Sequence, residues 1–270
     1  MGKYNNLITD KAYVIDAFTE TPFYGNPAGV MILNKRMSEQ TLQGIAAEIN
    51  ASETAFIIPE KDSFHIRYFT PTVEVPLCGH ATLASAHLLY KLKKVSSNQK
   101  IRFESPSGTL IAENHKGTIC LKFPAYQLKS ITIPLQFEKC MGFKPLEVFT
   151  AREWTVAVAE NEDIVQNLKP DYAKMETEEL GEVIITAVSK QKDTDYVLRC
   201  FAPSAGIPED PVTGSAQCAL TPLWNNKTGK KTFHVKQLSR RGGILDTAID
   251  GERINIMGKA VTIMECTFFL

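Results

Sequence analysis

The sequence predicts an α+β fold of two similar lobes, each built from strands, one central helix and a strand meander. The pattern RYFTP that begins at Arg67 recurs as RCFAP at Arg199, about half the chain length later. Both copies continue through a proline-bearing loop to a glycine, Gly79 or Gly214, that opens a run of small residues typical of a buried helix. Two similar corners can arise by chance, but the shared continuation favours an internal repeat.

In the first lobe, strands are predicted at residues 13–18 and 30–33, joined by a loop that contains two prolines and two glycines. A helix follows the N-cap Ser38, and its apolar side chains fall on one face at Leu42, Ile45, Ala46 and Ile49. Strands at residues 56–58 and 64–69 lead to the central helix that begins at Gly79. After it we expect an antiparallel meander with strands at residues 101–104, 109–113 and 118–123.

Residues 124–134 show little periodicity, so we expect the first lobe to span residues 1–126 and the second 127–270, with the last strand able to pack back on the first lobe. Short helices are predicted at residues 134–142 and 164–168. The second central helix is expected to open at Gly214 and to end or kink at Pro222. Strands are predicted at residues 147–150, 154–158, 182–188, 196–201, 233–238, 244–249, 253–256 and 261–268.

The composition argues against several classes of partner. Lys and Arg together number 30, as do Asp and Glu, so the net charge is zero and gives no support to a nucleic-acid or membrane-surface partner. No apolar run is long enough to span a bilayer, and residues 1–10 lack the order of a signal peptide. The six cysteines form no C-x-x-C pair. We therefore expect reduced thiols and a cytoplasmic protein.

Metal and nucleotide motifs are not completed in the sequence. Cys78 and His80 are two residues apart, and His80 shares a helix face with His87, but no second cluster supplies further ligands, so no metal site is expected. The patterns G-x-S-x-G, G-x-G-x-x-G and the P-loop are absent. Hydrolase, hydride-transfer and phosphoryl-transfer chemistry therefore have no support.

The remaining polar residues at predicted loop ends suit proton transfer beside a carboxylate. Amides at two helix starts would hold a substrate anion, and a carboxylate would take a proton from carbon while a second acid or base returns one. If the lobes face each other, the residues that converge are Glu53, His80, Asp210 and Ser215, with the amides of Gly79 and Gly214.

At these residues the sequence resembles the PhzF-like phenazine-biosynthesis family, which shares the diaminopimelate-epimerase-like fold. The combination of S-E-T-A-F from Ser52, C-G-H-A-T from Cys78 and E-D-P-V-T-G-S from Glu209 carries the resemblance, and matching segments run through both halves of the chain. The resemblance implies that each lobe is a curved, barrel-like, mostly antiparallel sheet around its central helix, with the active site in the cleft. It also implies a cofactor-independent isomerase that moves a proton along a small cyclic carboxylate-bearing substrate, and a homodimer.

The resemblance also assigns roles to residues. The family's catalytic glutamate falls on Glu53 as the base, and its histidine and aspartate fall on His80 and Asp210, which would orient the substrate and help to move the proton. Two departures leave the substrate unassigned, because Gln237 is followed by leucine rather than glycine and Pro222 interrupts the second helix. Substrate binding is expected from Ser52, Gly79, Gly214 and Ser215.

Two other functions stay open. A two-thiol racemase or epimerase on the same fold needs a cysteine before each glycine, and Cys78 fits, but Thr213 stands before Gly214 and Cys218 lies inside the helix. A non-catalytic binding or scaffold protein is the other alternative. The acidic and basic set around Glu53 argues against a decayed site.

Overall fold

The computed structural model describes residues 9–270. Contacts divide the chain into two compact units: residues up to Leu121 together with Gly258–Leu270 form the first, and Lys122–Met257 form the second. Residues 1–8, most of the segment compared above with a signal peptide, lie outside the described part. Within the described part, every helix is too short or too polar to cross a membrane.

The secondary structure is dominated by strands. The helices are α1 Glu39–Ile49, α2 Gly79–Lys91, α3 Phe137–Met141, α4 Glu162–Asn167, α5 Tyr172–Thr177 and α6 Gln217–Thr228. The strands are β1 Thr9–Ala17, β2 Asn26–Ile32, β3 Glu53–Pro59, β4 Phe64–Phe69, β5 Glu74–Val75, β6 Ile101–Ser105, β7 Gly108–His115, β8 Thr118–Pro124, β9 Lys129–Ile131, β10 Glu147–Ala151, β11 Trp154–Val158, β12 Glu182–Val188, β13 Tyr196–Ala202, β14 Ile207–Asp210, β15 Thr232–Gln237, β16 Gly243–Asp250, β17 Arg253–Gly258 and β18 Ala260–Phe269.

The two units repeat one strand order. In the first, the order is β18–β1–β2–β3–β4–β6–β7–β8, with β5 on β4. In the second it is β9–β10–β11–β12–β13–β15–β16–β17, with β14 on β13. The parallel steps fall at matching places, β2/β3 and β4/β6 against β11/β12 and β13/β15. The α+β fold with a repeated topology is thus confirmed. Among residues 9–270 no pairing joins β8 to β18 or β17 to β9, so neither set of eight strands closes into a barrel.

The repeat extends to side-chain contacts. Arg67 on β4 donates from Nε and Nη2 to the Glu74 carboxylate on β5, at 2.7 and 2.6 Å. Arg199 on β13 makes the same two-pronged contact with Glu209 on β14, at 2.6 and 2.9 Å. Each guanidinium also lies over the phenylalanine two residues later, 5.0 and 5.1 Å from the ring centroid. We call this contact the arginine fork; it ties each short strand to the strand before it.

The helix α2 is the buried centre of the first unit. All residues from His80 to Ala86 are buried, and the helix packs on β1, β2, β3 and β18. Small side chains such as Ala81 and Ala84 let the strands approach closely. The helix α1 begins as expected, because the Ser38 hydroxyl accepts from the Thr41 amide at 3.1 Å.

In the second unit, α6 begins later than the sequence predicted. Residues 214–216 form a turn, in which the Gln217 amide donates to the Gly214 carbonyl and the Cys218 amide to the Ser215 carbonyl, both at 3.0 Å. These bonds span three residues, as in a 3-10 helix, so the first full helical turn starts at Gln217.

The expectation that Pro222 ends α6 is wrong, since the helix continues to Thr228. A proline inside a helix cannot donate to the carbonyl four residues earlier, which here belongs to Cys218. The backbone amide of Tyr126 donates to that carbonyl instead, at 2.8 Å. A hydrogen bond from outside the helix thus replaces the one that proline removes.

Short elements account for most of the remaining differences. The strand β2 starts at Asn26, inside the segment expected to be a loop, because Pro27 is tolerated at the second position of the strand. The elements β5, β9, β14 and α5 were not predicted, since two to six residues are too few to show a period.

The two arginine forks make a matched stability test. The Arg199 side chain is 10% exposed and the Arg67 side chain 24% exposed. We expect Arg199→Met to lower the free energy of unfolding by about 3 kcal/mol, because it leaves the Glu209 charge buried and unpaired and removes the donations from Nη1 to the carbonyls of Val165 and Leu168. Arg67→Met should cost about 1 kcal/mol, since water reaches Glu74 more readily. Urea denaturation of both variants measures the difference, and equal losses would contradict the burial argument.

Candidate active site

Two secondary-structure starts bring Glu53 and His80 together in the first unit. The helix α1 ends at Asn50, whose left-handed backbone (φ 51°) turns the chain toward β3, and Glu53 is the first residue of that strand. His80 is the second residue of α2. Nε2 of His80 lies 3.1 Å from Oε2 of Glu53, with the two side chains 8% and 12% exposed.

The contact between Glu53 and His80 is ionic rather than a well-directed hydrogen bond. Its length suits a hydrogen bond, yet Oε2 of Glu53 is buried and receives no well-aligned donor from the described residues. A buried carboxylate oxygen in this condition retains its capacity to accept a proton or another donor.

Cys78 completes the cluster. It is the N-cap residue of α2, and its side chain makes no capping hydrogen bond. Its sulfur lies 3.4 Å from Nδ1 and 3.8 Å from Nε2 of His80, so the thiol lies against the imidazole. The sequence analysis considered Cys78 as a metal ligand and as a candidate for two-thiol chemistry, but not as a neighbour of Glu53.

Asn26 and Ser52 extend the cluster from Nδ1 of the imidazole. Nδ2 of Asn26 lies 3.2 Å from Nδ1 of His80, and the Ser52 hydroxyl donates to Oδ1 of Asn26 at 3.0 Å. Gly25 turns the chain into Asn26 with φ +71°, and a Cβ there would lie 2.2 Å from the Ala17 carbonyl oxygen. The tight turn therefore fixes the amide that contacts His80.

The pKa values describe a carboxylate paired with an imidazolium. Burial alone would raise the pKa of Glu53, but the charge and contacts of His80, with the Cys78 thiol, outweigh it and lower that pKa below its usual value. Burial disfavours the imidazolium, yet Cys78 and Glu53 raise the pKa of His80 well above its usual value. Burial and the Glu53 charge raise the pKa of Cys78 to about 11, so this thiol is protonated at neutral pH.

In the second unit, Asp210 and Gly214 are joined by a hydrogen-bonded link. The Thr213 hydroxyl donates to the Asp210 carboxylate, and the backbone amide of Thr213 donates to Oε1 of Gln237 at 2.8 Å. Nε2 of Gln237 donates in turn to the Asp210 carbonyl at 2.7 Å. A single glutamine therefore holds both ends of the link, and Ser215 follows in the turn before α6.

The predicted site residues thus fall into two sets, one in each unit. The first unit brings together Ser52, Glu53 and His80, with Gly79 beside His80. The second holds Asp210, Gly214 and Ser215 on one short link. The expectation that both sets face one pocket stays a prediction.

The sequence missed Asn26, Thr213 and Gln237 as members of these sets. All three are neutral, and their importance comes from hydrogen bonds that no local pattern announces. Two signals were available: Thr213 lies in the segment E-D-P-V-T-G-S, and Asn26 lies in another segment that resembles the family, F-Y-G-N-P-A-G-V at residues 23–30. The two-thiol alternative loses support, because burial also raises the pKa of Cys218, to about 12.

The chain is similar to proteins of a known family over most of its length. The family model described as phenazine biosynthesis-like protein, PhzC-PhzF, matches residues 15–266. An uncharacterized isomerase of Halalkalibacterium halodurans is 39% identical, over 98% of this chain and 100% of its own. A crystal structure of a PhzF-family protein from Enterococcus faecalis is 36% identical and superposes with a TM-score of 0.93, covering 97% of this chain and 100% of that one.

A predicted epimerase of Pseudomonas aeruginosa shares the fold at 17% identity, with a TM-score of 0.74 over 96% of this chain and 99% of its own. The fold is therefore common to this chain and to an epimerase-like protein of different sequence. The extent of the family match leads to one conclusion: the chain belongs to the PhzC-PhzF family of phenazine biosynthesis-like proteins.

Proposed function

We propose that this protein is a cofactor-independent isomerase that moves a proton along a small cyclic substrate bearing a carboxylate. The buried contact between Glu53 and His80 is the observation that carries the proposal, because it keeps a carboxylate ionised in a nearly dry site. The names of curated relatives as isomerases support the reaction class.

In the proposed mechanism, Glu53 is the base. Its Oε2 takes a proton from a substrate carbon, so a C–H bond breaks, an O–H bond forms, and the electron pair spreads into the conjugated substrate. Return of a proton to another carbon completes the isomerisation with no change in oxidation state. The substrate therefore needs an acidified C–H bond, which an adjacent conjugated carboxylate provides.

His80 affects both proton transfers, because its charge changes the pKa of Glu53. By lowering the pKa of Glu53 it makes the carboxylate a weaker base, at about 1.4 kcal/mol for each pKa unit. Once Glu53 is protonated, however, the imidazolium loses its counter-charge. The protonated acid then gives its proton back readily, which favours the second half of the reaction.

The start of α2 provides a site for the substrate carboxylate. The N-cap Cys78 makes no side-chain capping bond, so amides in the first turn of this 13-residue helix stay available to an anion. The link that holds Asp210 is proposed to orient the substrate from the second unit, with Gly214 and Ser215 as further binding groups.

Replacement of the base tests this function. Small cyclic amino- and hydroxy-carboxylates incubated in D2O with the protein should gain deuterium at carbon, detected by mass spectrometry. We expect Glu53→Gln to slow this exchange by about 100-fold or more, because the amide cannot accept the proton. The matched control is Glu60→Gln, an exposed glutamate beyond β3, which should exchange like the wild type. Unchanged exchange in Glu53→Gln would reject the mechanism.

The pH dependence of kcat/KM tests the role of His80. In the wild type, the acidic fall in rate should lie below the usual range of a glutamate, because the pKa of Glu53 is lowered. His80→Gln removes the positive charge while burial remains, so the acidic fall should move to higher pH. His115→Gln, which changes an exposed histidine, should leave the profile as it is. A fall that stays in place in His80→Gln would contradict the ion pair.

The side-chain amide of Asn26 should affect the alkaline limb of the same pH profile. Loss of the His80 proton removes the charge that drives the proton back from Glu53, so kcat/KM should fall at alkaline pH with the pKa of His80. Asn26→Asp places a carboxylate next to Nδ1 of His80, which stabilises the imidazolium, so this alkaline fall should move to higher pH. KM should change little, since Asn26 positions His80 rather than the substrate. The matched control Asn114→Asp changes the next-to-last residue of β7, whose side-chain oxygen accepts from the Gly117 amide, and it should not shift the profile. An unshifted alkaline limb in Asn26→Asp would show that this amide does not tune His80.

A further inference from the structure

Three potential metal ligands meet at the start of α2. Oε2 of Glu53, a ring nitrogen of His80 and Sγ of Cys78 all lie within 4.8 Å of one another. The sequence predicted no metal site, because only Cys78 and His80 are close along the chain. The fold adds Glu53 from the start of β3, which supplies the third ligand type.

The spacing of these atoms is close to that of neighbouring ligands around one zinc ion. Bonds of about 2.0–2.3 Å from zinc to nitrogen, oxygen and sulfur place neighbouring ligand atoms roughly 3.3–3.6 Å apart. Nε2 of His80 lies 3.1 Å from Oε2 of Glu53 and 3.8 Å from Sγ of Cys78. The sulfur lies nearer Nδ1, at 3.4 Å, so a rotation of the Cys78 side chain is needed to bring it to a zinc ion on Nε2, and water or an anion takes the fourth position.

The surroundings suit a metal ligand set as well. Oε2 of Glu53 is buried and receives no well-directed donor from the described residues, and the Cys78 thiol has no capping role. Asn26 contacts Nδ1 of His80, the position at which metal-bound imidazoles are usually held by an outer partner. Rotation of the amide presents its oxygen to Nδ1–H, and the Ser52 hydroxyl can then accept from the amide nitrogen.

We propose that Glu53, Cys78 and His80 bind one Zn²⁺ ion, and that this ion inhibits the enzyme. The inhibition rests on the function proposed above, whereas the binding does not. On binding, the thiol loses its proton to form a Zn–S bond, and Nε2 of His80 loses its proton to form a Zn–N bond. The Glu53 oxygen that would take the substrate proton becomes a zinc ligand, so proton transfer stops.

Cobalt titration of the full-length chain tests the binding without any substrate. Co²⁺ should bind with one-to-one stoichiometry, give a thiolate-to-cobalt charge-transfer band, and be displaced by Zn²⁺. Cys78→Ser should lose the band, and Glu53→Gln should weaken binding by about 10-fold or more. Cys266→Ser alters a cysteine that is only partly buried and should keep the band. A band that persists in Cys78→Ser, or that disappears in Cys266→Ser, would overturn the site.

A measurement on the wild type keeps the proposal testable if a variant fails to fold. X-ray absorption at the zinc edge should give one sulfur at about 2.3 Å, with the remaining ligands nitrogen or oxygen. A zinc coordination shell with no sulfur ligand, or with two or more sulfur ligands, would reject the proposed ligand set.

Inhibition is measured separately by the deuterium exchange described above. Micromolar Zn²⁺ should abolish exchange and a chelator should restore it, and exchange that continues with zinc bound would reject the inhibitory role. Cobalt binding in a protein that exchanges no substrate would reject the proposed function while supporting the metal site. Exchange without cobalt binding would reject the metal site while supporting the proposed function.

Discussion

The buried contact between the Glu53 carboxylate and the His80 imidazole is the interaction on which the candidate site of the first unit depends. Removing two charged groups from water costs several kcal/mol for each, and their attraction offsets this only when both are held closely. The fold meets the requirement by placing each group at the start of a regular element, β3 and α2. Neither group lies on a long loop, so the contact is defined by backbone packing.

Close packing of the strands around α2 sustains that contact. A Cβ on Gly29 of β2 would lie 2.5 Å from the Thr54 hydroxyl on β3, so only glycine permits this approach. The same two strands begin at Asn26 and Glu53, and the approach holds Asn26 within reach of Ser52 and His80. The hydrogen bonds around the imidazole are thus a consequence of strand spacing.

Much of the architecture was predictable because it follows from patterns that the sequence displays. The pair RYFTP and RCFAP revealed the repeat, and the structure adds its physical basis in the two arginine forks. The resemblance to a known family indicated Glu53 and His80. Asn26 and Gln237 could not be recognised, because a neutral amide acquires its role only from a distant partner. The continuation of α6 past Pro222 was missed for the same reason, since the compensating donor belongs to Tyr126. Thr213 bonds to Asp210, three residues away, and lies in the quoted segment E-D-P-V-T-G-S, but no role was assigned to it.

The arginine forks have an evolutionary consequence. Each fork anchors the short strand before the central helix, and in the second unit a 3-10 turn, Pro203–Ala205, lengthens the preceding loop while Arg199 still holds Glu209. Insertions can therefore accumulate ahead of the anchored strand without shifting the helix that follows. A half of this kind can vary the loop ahead of its anchored strand while it keeps the scaffold.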